Sequence, residues 1–232
     1  MGLPRISGQV PFSPCRHHSY CTANRQFCFS QVLKEDNVEP IILASGSLRR
    51  QEYFKLMGLP FSISPAAIDE EEGNITDPVQ AAQDRAVRKV NKVIELMAGR
   101  LPWWICGADT IVSVDGGIYN KPTDRDNARD MLRSLSGREH SVITAMALYN
   151  GKTKKIDCRS ASCRVQFADL SDGEIEWYLD TGEWQEVAGA YRIQGLAGLF
   201  IKSISGSPST VVGLPLHDFY AMLRDNGYQY GA

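Results

Sequence analysis

Apolar and polar positions along the chain switch between short continuous runs, which read as buried strands, and stripes recurring every three or four residues, which read as helices. The run Ile41-Ile42-Leu43-Ala44 predicts a strand that ends in Ser45-Gly46-Ser47. A helix follows with Tyr53, Phe54, Leu56 and Met57 on one stripe, and Gly58 supplies its stop because glycine accepts the left-handed conformation that closes helices. Residues 61–64 return as a short strand before an acidic turn over 69–72. Asp77-Pro78 then offers a side-chain cap and a first-turn proline to a long helix whose Ala82, Ala86, Val90, Val93, Ile94 and Met97 form one face, ended by Gly99.

The hydrophobic run over 103–108 continues through Asp109 and Thr110 into 111–114 and turns at Asp115-Gly116-Gly117. A helix is predicted over 124–135. Strands over 140–149 and 152–167 flank Asn150-Gly151, whose two residues tolerate positive φ, and this predicts an antiparallel hairpin. Ser171-Asp172-Gly173-Glu174 is a capping box that opens a helix to about residue 180, and 216–224 reads as a closing helix. Strands and helices alternate with one hairpin inserted, which predicts an α/β fold with a mixed sheet.

With 232 residues, 43% of them hydrophobic, the chain has material for one sizeable core, expected from about residue 39 and preceded by an extension over 1–38. The formal charge of −2 gives no general pull toward nucleic acid or an anionic membrane, so any phosphate site must be local. No apolar run reaches the roughly 18 to 20 residues of a membrane span, and no secretory signal opens the chain. The expectation is a cytoplasmic protein with neither nucleic-acid nor membrane partners. Cysteines at 15, 21, 28, 106, 158 and 163 form no disulfide framework, and Cys106 reads as a small core residue. Residues 1–34 contain no acidic side chain and no helical periodicity. An organelle transit peptide is the minor alternative for that stretch. A zinc site from Cys15, His17, His18, Cys21 and Cys28 is weaker still, because the spacings fit no common finger.

Two features carry candidate chemistry. Ser45, Ser47, Arg49 and Arg50 stand where a strand gives way to a helix, so backbone N–H groups, two hydroxyls and two guanidinium groups converge at one helix start, as anion sites require. The plainer reading is a serine cap followed by solvated arginines. The loop is not a Walker A sequence. Separately, Asp69 and Glu70 lie in a turn and Asp109 follows an apolar strand, and carboxylates converging from separate elements suit Mg²⁺ shared with a polyphosphate. Asp109 as a simple loop cap is the alternative. Lys89 and Lys121 read by themselves as surface charges.

Taken in order, Leu43-Ala44-Ser45-Gly46-Ser47-Leu48-Arg49-Arg50, Gly107-Ala108-Asp109-Thr110, Asn120-Lys121-Pro122, Leu135-Ser136-Gly137-Arg138, Ala188-Gly189-Ala190-Tyr191 with Ile193-Gln194-Gly195, and Val212-Gly213-Leu214-Pro215-Leu216 closely resemble the Maf family of nucleotide pyrophosphatases. The resemblance runs from about Ile41 to Arg224 and leaves the first 38 residues uncovered. It implies an elongated mixed-sheet α/β fold with a cleft between two lobes, similar to inosine triphosphate pyrophosphatases. It also implies hydrolysis of a nucleoside triphosphate to monophosphate and pyrophosphate with a divalent cation, Mg²⁺, Mn²⁺ or Co²⁺. On the matching positions Asp109 is the base or metal ligand, Glu70 a second metal carboxylate, and Lys89 and Lys121 phosphate-binding lysines, while Ser45, Ser47, Arg49 and Arg50 hold the triphosphate. A homodimer is compatible with the resemblance. A Maf-like domain that has lost catalysis and senses nucleotides or serves cell division is the alternative function.

Arg49, Thr110 and Gln194 match the branch of that family similar to dTTP/UTP pyrophosphatases, and the branch similar to 7-methyl-GTP pyrophosphatases differs at all three. The chain departs from the family pattern where Leu48 replaces a proline, where Glu186-Val187 replaces Asp-Lys, and where Arg192 replaces glycine.

Overall fold

The computed structural model describes residues 38–69, 72, 74–97, 99 and 102–229. The readings placed on residues 1–37, and on Glu70, lie outside the described residues.

Strand β1 (Ile41–Leu43) is followed by helix α1 (Leu48–Leu56), strand β2 (Phe61–Ile63) and helix α2 (Pro78–Leu96). Helix α2 starts as its sequence requires: the Asp77 side chain accepts from Gln80 N, and Pro78 occupies the first turn, where no N–H is missed. Ala81, Ala82, Ala86, Val90 and Val93 bury its apolar stripe. In α1 only Arg50 and Phe54 are buried, while Leu56, expected on the core stripe, is exposed. The nine-residue helix turns that position away from β1, and Phe54 takes up the core contact against Phe61 and Phe219.

Three long strands carry the rest of the domain: β3 (Trp104–Val114), then the short β4 (Gly117–Tyr119) and helix α3 (Arg125–Leu135), followed by β5 (Glu139–Asn150) and β6 (Lys155–Phe167). The β5–β6 hairpin is antiparallel as expected, but Asn150 pairs with Lys155, so four residues rather than two form the turn. Asn150 Oδ1 accepts from the N–H groups of Lys152 and Thr153 and shapes that turn. Positive φ falls on Lys154 rather than on Asn150 or Gly151. Gly151 is required by space, since a Cβ there would lie 2.6 Å from the Pro102 carbonyl oxygen. Helix α4 (Asp172–Asp180) opens with the anticipated capping box between Ser171 and Glu174. Strand β7 (Ile201–Ser205), helix α5 (Pro208–Val212) and helix α6 (Leu216–Asp225) complete the domain.

The sheet order is β2-β1-β3-β5-β6-β7, with β4 on the edge of β3. Strand β1 is parallel to both β2 and β3, and the other pairings are antiparallel, so the sheet is mixed. Side chains alternate across a strand, and β3 shows what each face packs. Trp104, Cys106 and Ala108 join Leu43, Phe54 and Phe219 on one face, while Ile105 and Ile111 meet Ala82, Ala86 and Val90 of α2 on the other. Farther along, Val112 and Val114 enter a separate core with Leu132, Phe167 and Tyr178. Two lobes therefore share the long strands, and β3 passes from one to the other. Glu39 ties the start of the domain to both ends of the first lobe, accepting from the Trp104 indole through its side chain and from the Tyr228 hydroxyl through its carbonyl. No described helix is long and apolar enough to cross a membrane.

Candidate functional site

The crossing from one lobe to the other is where β3 loses a neighbour. Strand β1 pairs with it only as far as Cys106, and β4 begins only at Val112. No strand among the described residues pairs with the edge over 107–111 between them, and Asp109 and Thr110 sit on that edge. A cleft of about 630 Å³ opens there, within the size range of small-ligand sites.

Asp109 turns toward α2, and Gly107 sets how close that helix comes. A Cβ at Gly107 would lie 2.6 Å from the Ala86 carbonyl oxygen and 2.9 Å from Val90 Cγ2, so only glycine permits the approach. Lys89 and Arg85 lie one turn apart on the approaching helix. Lys89 Nζ donates to Asp109 Oδ1, and Arg85 Nη1 stands 3.8 Å from Oδ2 while donating to Asn120 Oδ1 at 3.0 Å. Asp109 is buried, and its Oδ2 has no hydrogen-bond partner. Among the described residues no three His, Cys, Asp or Glu side chains cluster as a metal site would need. Asp109 Oδ2 is thus a buried carboxylate oxygen on this edge whose hydrogen-bonding capacity is unfilled, with the Arg85 guanidinium beside it.

Thr110 points to the opposite face and enters a different network. Arg50 donates through Nε to Gly213 O at 2.8 Å, through Nη1 to Ser45 Oγ at 2.9 Å and through Nη2 to Thr110 Oγ1 at 3.0 Å. Thr144 gives its single hydroxyl proton to Thr210 O at 2.7 Å, so the 2.9 Å contact between the two threonine hydroxyls must be donated by Thr110. Thr110 consequently has only acceptor capacity left. Arg50 is buried among these partners and fixes the positions of Ser45 and Thr110.

At the start of α1, Ser47 takes the cap position without a side-chain cap bond, and its own N–H donates to Ser45 Oγ at 3.3 Å. The first turn contains no acidic residue and two arginines, the reverse of what the helix dipole favours. Burial, then Arg50, then Arg192 pull the Arg49 guanidinium down to about 10, still charged at neutral pH. An anion at this helix start would relieve the conflict.

The far wall comprises Asn120, Lys121, Glu186, Val187, Ala188, Tyr191, Arg192, Ile193 and Gln194. Glu186, Gly189 and Ala190 all have positive φ, and a Cβ on Gly189 would meet Val112 Cγ2 at 2.8 Å, so the wall is pressed tightly against β3. Lys121 Nζ pairs with Glu186 Oε2 at 3.0 Å. Arg192 Nη2 donates to Gln185 O at 2.9 Å. Behind the wall, Tyr191 OH and His140 Nε2 lie 2.8 Å apart in the core, and burial holds His140 down at about 4.

Ser45, Ser47, Arg49, Arg50, Lys89, Asp109, Thr110, Lys121 and Gln194 thus all line one cleft. Arg88 carries the acidic turn toward α2, donating to Asp69 O at 2.6 Å and pairing with Glu72. The sequence gives no role to Arg85 or Thr144, and none to Asn120 beyond its place in the Asn120-Lys121-Pro122 block. Arg85 had a readable signal, a charged residue inside the apolar stripe of α2. Thr144 had none, because a threonine in a strand looks like any other.

These features define a mixed-sheet α/β protein with a cation-lined cleft between two lobes. The chain belongs to the family of Maf-like proteins, whose family model it matches over residues 40–226. It is 42% identical over 191 residues to the dTTP/UTP pyrophosphatase of Symbiobacterium thermophilum, covering 82% of this chain and 96% of that protein. The dTTP/UTP pyrophosphatase of Hahella chejuensis is also 42% identical over 191 residues, covering 81% of this chain and 92% of its own. Among solved structures, the Ham1 protein of Staphylococcus aureus aligns over 81% of this chain and 99% of its own, with a TM-score of 0.46 and 12% identity. That likeness is too loose to carry an argument, and the fold is read from the sheet topology.

Proposed function

We propose that this chain is a metal-dependent nucleoside triphosphate pyrophosphatase that splits dTTP and UTP, and modified pyrimidine relatives, into monophosphate and pyrophosphate. The observation that carries the reading is Asp109, a buried carboxylate with one oxygen held by Lys89 and the other without a hydrogen-bond partner, in a cleft lined by five cationic side chains, Arg49, Arg50, Lys89, Lys121 and Arg192. The names of the relatives support the choice of nucleotides.

Hydrolysis at the α-phosphorus needs an oriented water and neutralisation of the charge that develops on the departing pyrophosphate. Lys89 holds Oδ1 of Asp109, and Oδ2, whose hydrogen-bonding capacity is unfilled, takes the proton of the attacking water. In the alternative role Oδ2 would hold a hard divalent cation such as Mg²⁺, Mn²⁺ or Co²⁺, with substrate and water as the remaining ligands because the described carboxylates build no protein cage. When bound, such a cation supplies Lewis-acid stabilisation of phosphoryl oxygen. Glu70 is the second carboxylate proposed for it. Ser45, Ser47 and the N–H groups at the start of α1 hold phosphate oxygens, and Arg50 keeps that loop in place. Lys121 exchanges Glu186 for phosphate when substrate enters. Thr110, limited to accepting, and Gln194, able to donate and accept, suit the mixed edge of uracil or thymine.

Incubation with a nucleotide panel, with and without Mg²⁺ or Mn²⁺, tests the proposal. Pyrophosphate release from dTTP and UTP that requires the cation supports it, and release without added cation in the presence of a chelator removes the metal from it.

A further inference from the structure

The cations of the cleft are not equally available. Lys89 and Arg85 both attend Asp109, Lys121 is paired with Glu186, and Arg50 holds Gly213, Ser45 and Thr110. Arg49 and Arg192 have no carboxylate partner among the described residues. Arg192 Nη2 has only a carbonyl, and its Nε is buried with no hydrogen-bond partner. A guanidinium nitrogen shut away from water without an acceptor is costly unless a ligand completes it. Like charges brought together in a partly desolvated wall repel, and both residues lie on the same cleft, with Arg192 among the groups that depress Arg49. Two uncompensated guanidinium groups lining one cleft call for an anion with several oxygens, which a base or a ribose does not supply.

We propose that Arg192 is a substrate-binding residue that joins Arg49, which the family resemblance already gives to the triphosphate, in holding the diphosphate end of the nucleotide, the part that departs as pyrophosphate. The inference rests on the functional reading above for its choice of polyphosphate. It divides the cleft into two poles. At Asp109 two cations share a carboxylate, which suits a group that must hold water. At Arg49 and Arg192 they are unmatched, which suits the phosphates carrying most of the substrate's charge. The arrangement also accounts for Val187, which stands where a family lysine is expected: the positive charge of that wall is carried by Arg192, and both positions line the cleft.

The test is calorimetric binding of inorganic pyrophosphate, in metal-free buffer, to the full chain and to Arg192→Gln, Arg192→Lys and Arg49→Gln, with uridine as a control ligand. Loss of a charge-assisted hydrogen bond is expected to weaken pyrophosphate roughly 10- to 100-fold in Arg192→Gln and in Arg49→Gln. Uridine affinity should be unchanged in Arg192→Gln, and Arg192→Lys should recover most of the loss. Pyrophosphate binding equal to the parent in a folded Arg192→Gln overturns the inference, as does a loss confined to uridine, which would make Arg192 a reader of the base. Should Arg192→Gln not fold, an unchanged pyrophosphate affinity in Arg49→Gln overturns the pair on its own. A parent protein that binds pyrophosphate through both arginines yet cleaves no nucleoside triphosphate would sink the functional reading and leave standing only the pairing of the two arginines on a diphosphate.

Discussion

Lys89 donates to one carboxylate oxygen of Asp109 and leaves the other, buried in the cleft, without a hydrogen-bond partner. The pair joins the helix that packs on the sheet to the strand edge that no described strand covers, so the geometry of this carboxylate is set by packing.

Asp109→Asn should lower turnover by roughly two to four orders of magnitude, because an amide neither takes a proton nor binds a hard cation well. From sequence alone this substitution is expected to leave the fold intact. The structure adds a stability loss, since Lys89 and Arg85 would then lose the carboxylate they share in a buried setting. Single-turnover kinetics together with a denaturant melt separate the two effects. Near-parental turnover would remove Asp109 from the mechanism.

Gly107→Ala should damage the site without touching a cleft side chain. The added methyl meets the Ala86 carbonyl oxygen and Val90, both part of α2, so the helix that carries Lys89 and Arg85 must move outward. Overpacking of this kind costs about 1 to 3 kcal/mol. Turnover should fall more than binding of nucleotide, and a variant with parental stability and turnover would show that α2 has more freedom than its packing suggests.

His140 gives the fold a pH dependence. Its folded value is about 4 against an ordinary 6.5, so the unfolded chain binds the extra proton first as the pH falls, and stability declines from about pH 6.5 down to about pH 4. Between pH 7 and 5 this group alone removes about 2 kcal/mol. His140→Gln should flatten that part of the stability curve, measured by urea melts at each pH, and an unchanged slope would assign the decline to other groups.

Much of this architecture was legible because each signal was local. The Asp77 cap, the Ser171–Glu174 box and the alanine-valine stripe of α2 all act within a few residues, and each appears where the pattern placed it. The segment from the end of α4 to the start of α6 was not legible as structure. Strand β7 is short, half polar and pairs only along one edge, and α5 has five residues, so neither offers a period long enough to read. The hairpin turn was misplaced because Asn150 uses its side chain rather than positive φ to make the bend. In the site, residue identities pointed to a cation-rich cleft, but their division of labour depends on long-range partners such as Gly213 for Arg50 and Glu186 for Lys121, which no spacing rule reveals.

Gln194→Glu should erode the preference for uracil and thymine nucleotides, because a carboxylate only accepts and leaves a base acceptor without its donor. Mismatch at a polar site is worth a few kcal/mol, enough for a change of about a hundredfold in the ratio of kcat/KM between UTP and GTP. An unchanged ratio would place base recognition elsewhere on the cleft wall.

The most direct measurement of the central claim is product analysis on dTTP, UTP, ATP, GTP and 7-methyl-GTP with the full chain and Mg²⁺ or Mn²⁺. Cleavage of dTTP and UTP in preference to the purine nucleotides is expected, giving monophosphate and pyrophosphate in equal amounts. Orthophosphate as the primary product, or 7-methyl-GTP cleaved as fast as UTP, would contradict it.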